Sequence, residues 1–120
     1  MKTYRALGAL LTDEKMSHYA RFASQGNPAS EAGEAFRSAL EKTSGPLKVG
    51  IINSLGARRD EKAVAALAGL VTDANRDVAV AALDALGRIG NKAAAEALGA
   101  ATATETRALA NARVECADRL

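Results

Sequence analysis

The sequence predicts an all-α fold: a short, right-handed α-solenoid of antiparallel helix pairs, with about eight helices in a single domain over residues 1-120. Three observations carry that expectation. Leu55-Gly56 recurs as Leu86-Gly87, Ala63 as Ala94 and Leu67 as Leu98, all at one offset of 31 residues, and a period of that length marks a repeat architecture. The chain is 48% hydrophobic but only 3% aromatic, so its apolar content is largely Ala and Leu, the residues that enter a helix at least cost. Finally, apolar stripes at helical spacing alternate with turn residues along the whole chain.

The clearest units run over 47-76 and 77-103. The first starts at Thr43-Ser44-Gly45-Pro46, where proline fits the first helical position. Leu47, Ile51, Ile52 and Leu55 form one stripe, Gly56 is expected to close the helix in the left-handed conformation, and Asp60 to cap the next helix, whose stripe is Val64, Leu67 and Val71. The second unit repeats the plan. Asp77 is its expected cap, Val78, Ala82, Leu83 and Leu86 its stripe, Gly87 its closing residue and Asn91 the cap of a helix carrying Ala95 and Leu98. Adding the same offset sends Ile52 and Leu83 to Val114, and Ser54 and Ala85 to Cys116, so residues 104-120 read as a further first helix without its partner.

Towards the amino terminus, residues 6-13 echo 66-73, which makes 1-13 a second helix without its first. Tyr19 and Phe22 fit a helix over about 14-24, and Ala32, Phe36, Ala39 and Leu40 fit another over about 30-42, separated by the turn Gln25-Gly26-Asn27-Pro28. Gly8, Ala68 and Gly99 share one repeat position. A helical glycine costs about 1 kcal/mol relative to alanine, so its recurrence there reads as a close approach of helices.

The run Asp77 to Asn91, D-V-A-V-A-A-L-D-A-L-G-R-I-G-N, and its continuation Lys92 to Leu98, K-A-A-A-E-A-L, resemble the short HEAT-like repeats, the type also called PBS-lyase HEAT-like. The fit is close over roughly 47-101. Residues 11-23 are similar to the diverged repeats that accompany such units in multidomain bacterial proteins. Position 79 is Ala where many such units carry Arg. The resemblance implies a repeat scaffold and says little of activity, because the family hosts scaffolds, bilin-attaching enzymes and nucleic-acid binders.

The chemistry-bearing residues are sparse. His18 is the single histidine and has no Cys or acidic cluster at a metal-ligand spacing. Cys116, also single, stands where the other units hold small residues and reads as a packing residue. Glu31 and Glu34 lie one turn apart near a helix start, where carboxylates answer the positive end of the helix dipole. No nucleophile elbow, zinc motif, phosphate loop or dinucleotide fingerprint is present. No cofactor or metal site and no enzyme is therefore indicated. Net charge is only +2, no run of about 18 apolar residues suggests a membrane span, and the first residues do not read as a signal peptide, which leaves the compartment open.

The one candidate surface is the edge formed by the turns between paired helices, where Arg58, Arg59, Lys62, Arg88 and Lys92 stand as the candidate partner-binding residues. The leading expectation is a non-enzymatic module that binds a protein partner, or another domain of its own chain, through this edge or through an inner surface of second helices. Self-association through the half-repeat ends belongs to the same reading. Two alternatives rank below it. A bilin-lyase-like role wants aromatics, of which the chain has few, and nucleic-acid binding wants a continuous basic face, which Asp60 and Glu61 interrupt.

Overall fold

The computed structural model describes residues 10-13, 21, 30-101 and 106-119, with side chains in the first long helix from Ala32 onward. The helix expected over 14-24 with Tyr19 and Phe22, and also Gly8, His18 and the Glu31 side chain, lie outside the described residues. Of the opening segment, Leu10 and Leu11 are helical and Leu11 is fully buried.

All regular structure among the described residues is helical. In chain order it comprises α1 (Ser30–Lys42), α2 (Gly45–Arg58), a 3-10 turn (Glu61–Ala63) running into α3 (Val64–Leu70), α4 (Arg76–Ile89), α5 (Lys92–Ala100) and α6 (Thr106–Arg119). Among the described residues that makes six α-helices, where the sequence suggested about eight over the whole chain. The stripes named from the sequence form the core: Phe36, Ile51, Ile52, Leu55, Leu67, Leu83, Leu86 and Leu98 are each at most 1% exposed.

The helices start where short polar side chains satisfy the free backbone N–H groups of the first turn. Asp60 accepts from the Lys62 amide at 3.1 Å and Asn91 from the Ala94 amide at 2.8 Å, both as expected. For α4 the cap is Asn75, which accepts from the Asp77 and Val78 amides at 3.0 and 3.4 Å. Asp77 is inside the first turn, where its charge still answers the dipole.

The helix ends correct the sequence more substantially. Gly56 and Gly87 do not close their helices; each lies inside one, and the left-handed residues are Arg59 (φ 53°) and Gly90 (φ 59°), again one period apart. At α2 the Arg59 amide donates to the Gly56 carbonyl at 3.0 Å and the Asp60 amide to the Leu55 carbonyl at 3.1 Å, the bond pair of a Schellman ending. The interior glycines serve packing. A Cβ on Gly56 would fall 3.0 Å from the Ala85 Cα, and one on Gly87 3.1 Å from both the Cα and the carbonyl oxygen of Ala112. Close approach is thus found at Gly56 and Gly87, whereas Gly99, expected to provide it, faces open space.

The long helices α2, α4 and α6 pack side by side in one layer, and α3 lies beside α5 in a second. Each shorter helix packs on the long helix that follows it: α1 on α2, α3 on α4, α5 on α6. The helix α5 also packs on α4, the long helix before it, as the sequence paired them. The last helix also departs from strict repetition. Gly56 meets Ala85, whereas Gly87 meets Ala112, one turn short of the equivalent Cys116.

Residue 114 follows from its place in that last helix. Ile52 and Leu83, its equivalents, are wholly buried, but Val114 is 63% exposed, because no further long helix among the described residues covers that side of α6. On the same side Arg113 replaces Ile51 and Ala82, and Asp118 replaces the contact glycines 56 and 87. Arg113 turns back to donate through Nε to the Leu98 carbonyl at 3.0 Å and through Nη2 to the Ala101 carbonyl at 3.4 Å. A cation there satisfies the last carbonyls of α5 and opposes the negative end of its dipole.

Candidate interaction surface

Across the outer face of the long-helix layer runs a groove of about 780 Å³. It is built from the same repeat positions on three helices. Pro46, Asp77 and Ala108 are equivalent, as are Val49, Val80 and Asn111, and Asn53, Asp84 and Glu115. Buried Ala81 and Ala112 lie at its base, with half-buried Val49 and Val80 beside them. The depression exists because these positions carry short side chains while the helices are drawn together through Gly56 and Gly87.

Its walls are acidic. Asp77, Asp84 and Glu115 line it with one cation, Arg76, at the start of α4, and a second, Arg88, reaches Asp84 from outside the lining. Asp84 is about half exposed and accepts a 3.3 Å ion pair from Arg88 one turn along the same helix, a contact of the i, i+4 type worth about 0.3–0.5 kcal/mol. A low-dielectric base beneath like charges raises the local attraction for a cationic group.

The five cations expected on the turn edge divide into two kinds. Arg58, Arg59 and Lys62 surround a smaller cavity of about 310 Å³, together with Arg37, Asp60 and Glu61. There Arg58 is half-buried, its guanidinium 5.5 Å from the centre of the Phe36 ring, and Arg37 is ion-paired with Asp60. Asp60 therefore caps one helix and ties α1 to the turn. Arg59, Lys62 and Lys92 are exposed. The Arg88 stem lies on α2, its Cδ 3.6 Å from where a Gly56 Cβ would stand, and its charge goes to the groove carboxylate Asp84. The edge is accordingly a mixed-charge strip and not a bare basic ridge.

Cys116 is 2% exposed, and its thiol points to the Asn91 carbonyl at 3.9 Å; burial pushes its pKa up. That environment disfavours the thiolate. Arg21 lies on α2 with Nη1 donating to the Gly50 carbonyl at 3.3 Å, and burial draws its pKa down. Glu34 is exposed. Among the described residues no three His, Cys, Asp or Glu side chains stand together as a metal site, and no helix is long and apolar enough to cross a membrane.

Apolar stripes and cations in the sequence do not point to the acidic groove. Its signal was present: the 31-residue offset sends Asn53 to Asp84 and then to Glu115, a position polar in every unit.

Residues 33–116 match the family model for HEAT repeats, which covers more than two thirds of the chain. Neither the curated proteins nor the solved structures contain a significant match.

Proposed function

This chain belongs to the HEAT-repeat family, and on that premise we propose that it is a non-enzymatic, solenoid-type interaction module that docks a protein partner in the groove across α2, α4 and α6. HEAT repeats commonly serve as interaction scaffolds, and stacked repeats present equivalent positions in rows, which suits them to extended partners. The observation that carries the reading is the row structure itself. Three sets of repeat-equivalent residues line one continuous depression with apolar residues at its base and polar walls, the make-up of a helix-in-groove site. The basic turn edge of Arg58, Arg59, Lys62, Arg88 and Lys92 ranks second, because Arg58 is engaged with Phe36 and Arg88 with Asp84.

Photo-cross-linking separates the two. With Asn53 or Asn111 replaced by p-benzoylphenylalanine, a partner from source lysate should be captured covalently, and with the probe at Arg59 or Lys92 it should not. Capture only from the turn edge, or only from Ala65 and Glu96 on the short-helix face, refutes the groove reading.

A further inference from the structure

Resting on that groove, we propose that its occupant is a basic amphipathic helix of a protein partner, lying across the long helices with an apolar stripe on Val49, Val80 and Ala81 and with Lys or Arg flanking the stripe. The charge balance selects the class. The groove presents Asp77, Asp84 and Glu115 against Arg76 within it and Arg88, which reaches Asp84 from one turn along α4, an acidic excess on a chain that as a whole is net positive. A nucleic acid or an anionic membrane would bring negative charge against these carboxylates, which is repulsive; a cationic protein segment meets complementary charge.

Shape selects the helix. The groove crosses three adjacent helices, and packed helices stand about 8–10 Å apart, with Glu115 carried further along the axis by the one-turn offset of α6. On an α-helix, residues seven apart lie on one face and about 10.5 Å along the axis. Two cations at that spacing on one face of a crossing helix would engage both carboxylates while the intervening apolar residues reach the base.

The probe is a fluorescein-labelled, amidated helical peptide of about 18 residues, with a leucine stripe at i, i+4, i+7 and i+11 flanked by arginines. Two companions have those arginines moved to the opposite face or replaced by glutamates. Fluorescence anisotropy should show saturable binding of the first peptide in the micromolar range, weakened by salt. Asp84→Asn combined with Glu115→Gln should weaken it about tenfold, as expected for losing two partly exposed ion pairs. Arg59→Glu with Lys92→Glu should not weaken it. Circular dichroism melts establish that the variants fold, and Asp77→Asn at the other wall of the groove provides an independent variant with a loss in the same direction.

Equal or tighter binding of the glutamate peptide that is lost in a groove-filling Val80→Trp variant overturns the basic partner and leaves the groove reading standing. Binding that ignores Asp84, Glu115 and Asp77, indifference to which face carries the arginines, or no saturable binding of any peptide overturns the inference outright. Failure of the groove reading itself is detected separately, as absence of cross-links from positions 53 and 111.

Discussion

Replacing Gly87 by alanine tests the packing of the long-helix layer most directly. In an open helical position the change is favourable, because glycine is about 0.8–1 kcal/mol worse than alanine in a helix interior. At Gly87 the new methyl carbon would stand 3.1 Å from two backbone atoms of Ala112, whereas carbon contacts are comfortable at about 3.5–4.0 Å. The obstacle is backbone, so α6 must move by a few tenths of an ångström, carrying its buried Leu109 and Cys116. Overpacking of this kind costs about 1–3 kcal/mol. Subtracting the propensity gain leaves Gly87→Ala destabilising by roughly 0–2 kcal/mol. Gly99 is the matched control, since it is helical and a Cβ there meets nothing within 4 Å. Gly99→Ala should stabilise by up to about 1 kcal/mol, less than the full propensity because it lies in the last turn. The two variants should therefore differ by up to about 3 kcal/mol, with Gly87→Ala the less stable, and at about 4 °C per kcal/mol for a domain of this size their melting temperatures by up to roughly 12 °C. Urea and thermal melts followed at 222 nm measure both. If Gly87→Ala stabilises as much as Gly99→Ala, the close approach of α4 and α6 through residue 87 is wrong.

Arg59 holds a left-handed φ of 53° where its repeat equivalent is Gly90, so Arg59→Gly should stabilise by about 1 kcal/mol in the same melts; a loss would mean that the side chain contributes more than the strain costs. Asp60→Ala removes both the cap on the Lys62 amide and the partner of Arg37, and should destabilise by about 1–2 kcal/mol, whereas Arg37→Met, which leaves the cap, should cost less. Equal losses would assign the whole effect to the ion pair. Cys116, buried with a raised pKa, should resist a thiol-specific disulfide reagent in the native protein and react promptly in urea; fast native labelling would contradict its burial. Because the folded thiol holds its proton to higher pH than the unfolded one, its contribution is constant below the ordinary thiol range and declines as pH rises through it. Cys116→Ser should remove that alkaline decline.

Much of the secondary structure was legible because it is specified locally. The stripes of Ile51, Ile52 and Leu55 and of Leu83 and Leu86 encode their buried faces through a period of 3.6, and Asp60 and Asn91 start helices through bonds to amides two or three residues ahead. The glycines were not legible in the same way. A glycine near the end of an apolar stripe fits equally a left-handed ending and a close helix contact, and Gly56 and Gly87 proved to be contacts while residues 59 and 90 made the endings. The cations were overread for a related reason. Sequence registers charge but not the Phe36 ring beneath Arg58, or the carboxylate beside Arg88.

The sequence by itself determined that this chain is a stack of short amphipathic helices with a 31-residue period, since helical periodicity, capping and repetition are properties of neighbouring residues. Tertiary structure alone decided how closely the helices pack, which side of the last helix stays exposed at Val114, and where the groove runs. Those outcomes depend on how side-chain volumes match between helices tens of residues apart. At Gly87 a single hydrogen in place of a methyl group draws α4 and α6 together, and the small residues beside that seam leave the acidic depression in which Asp84 and Glu115 stand.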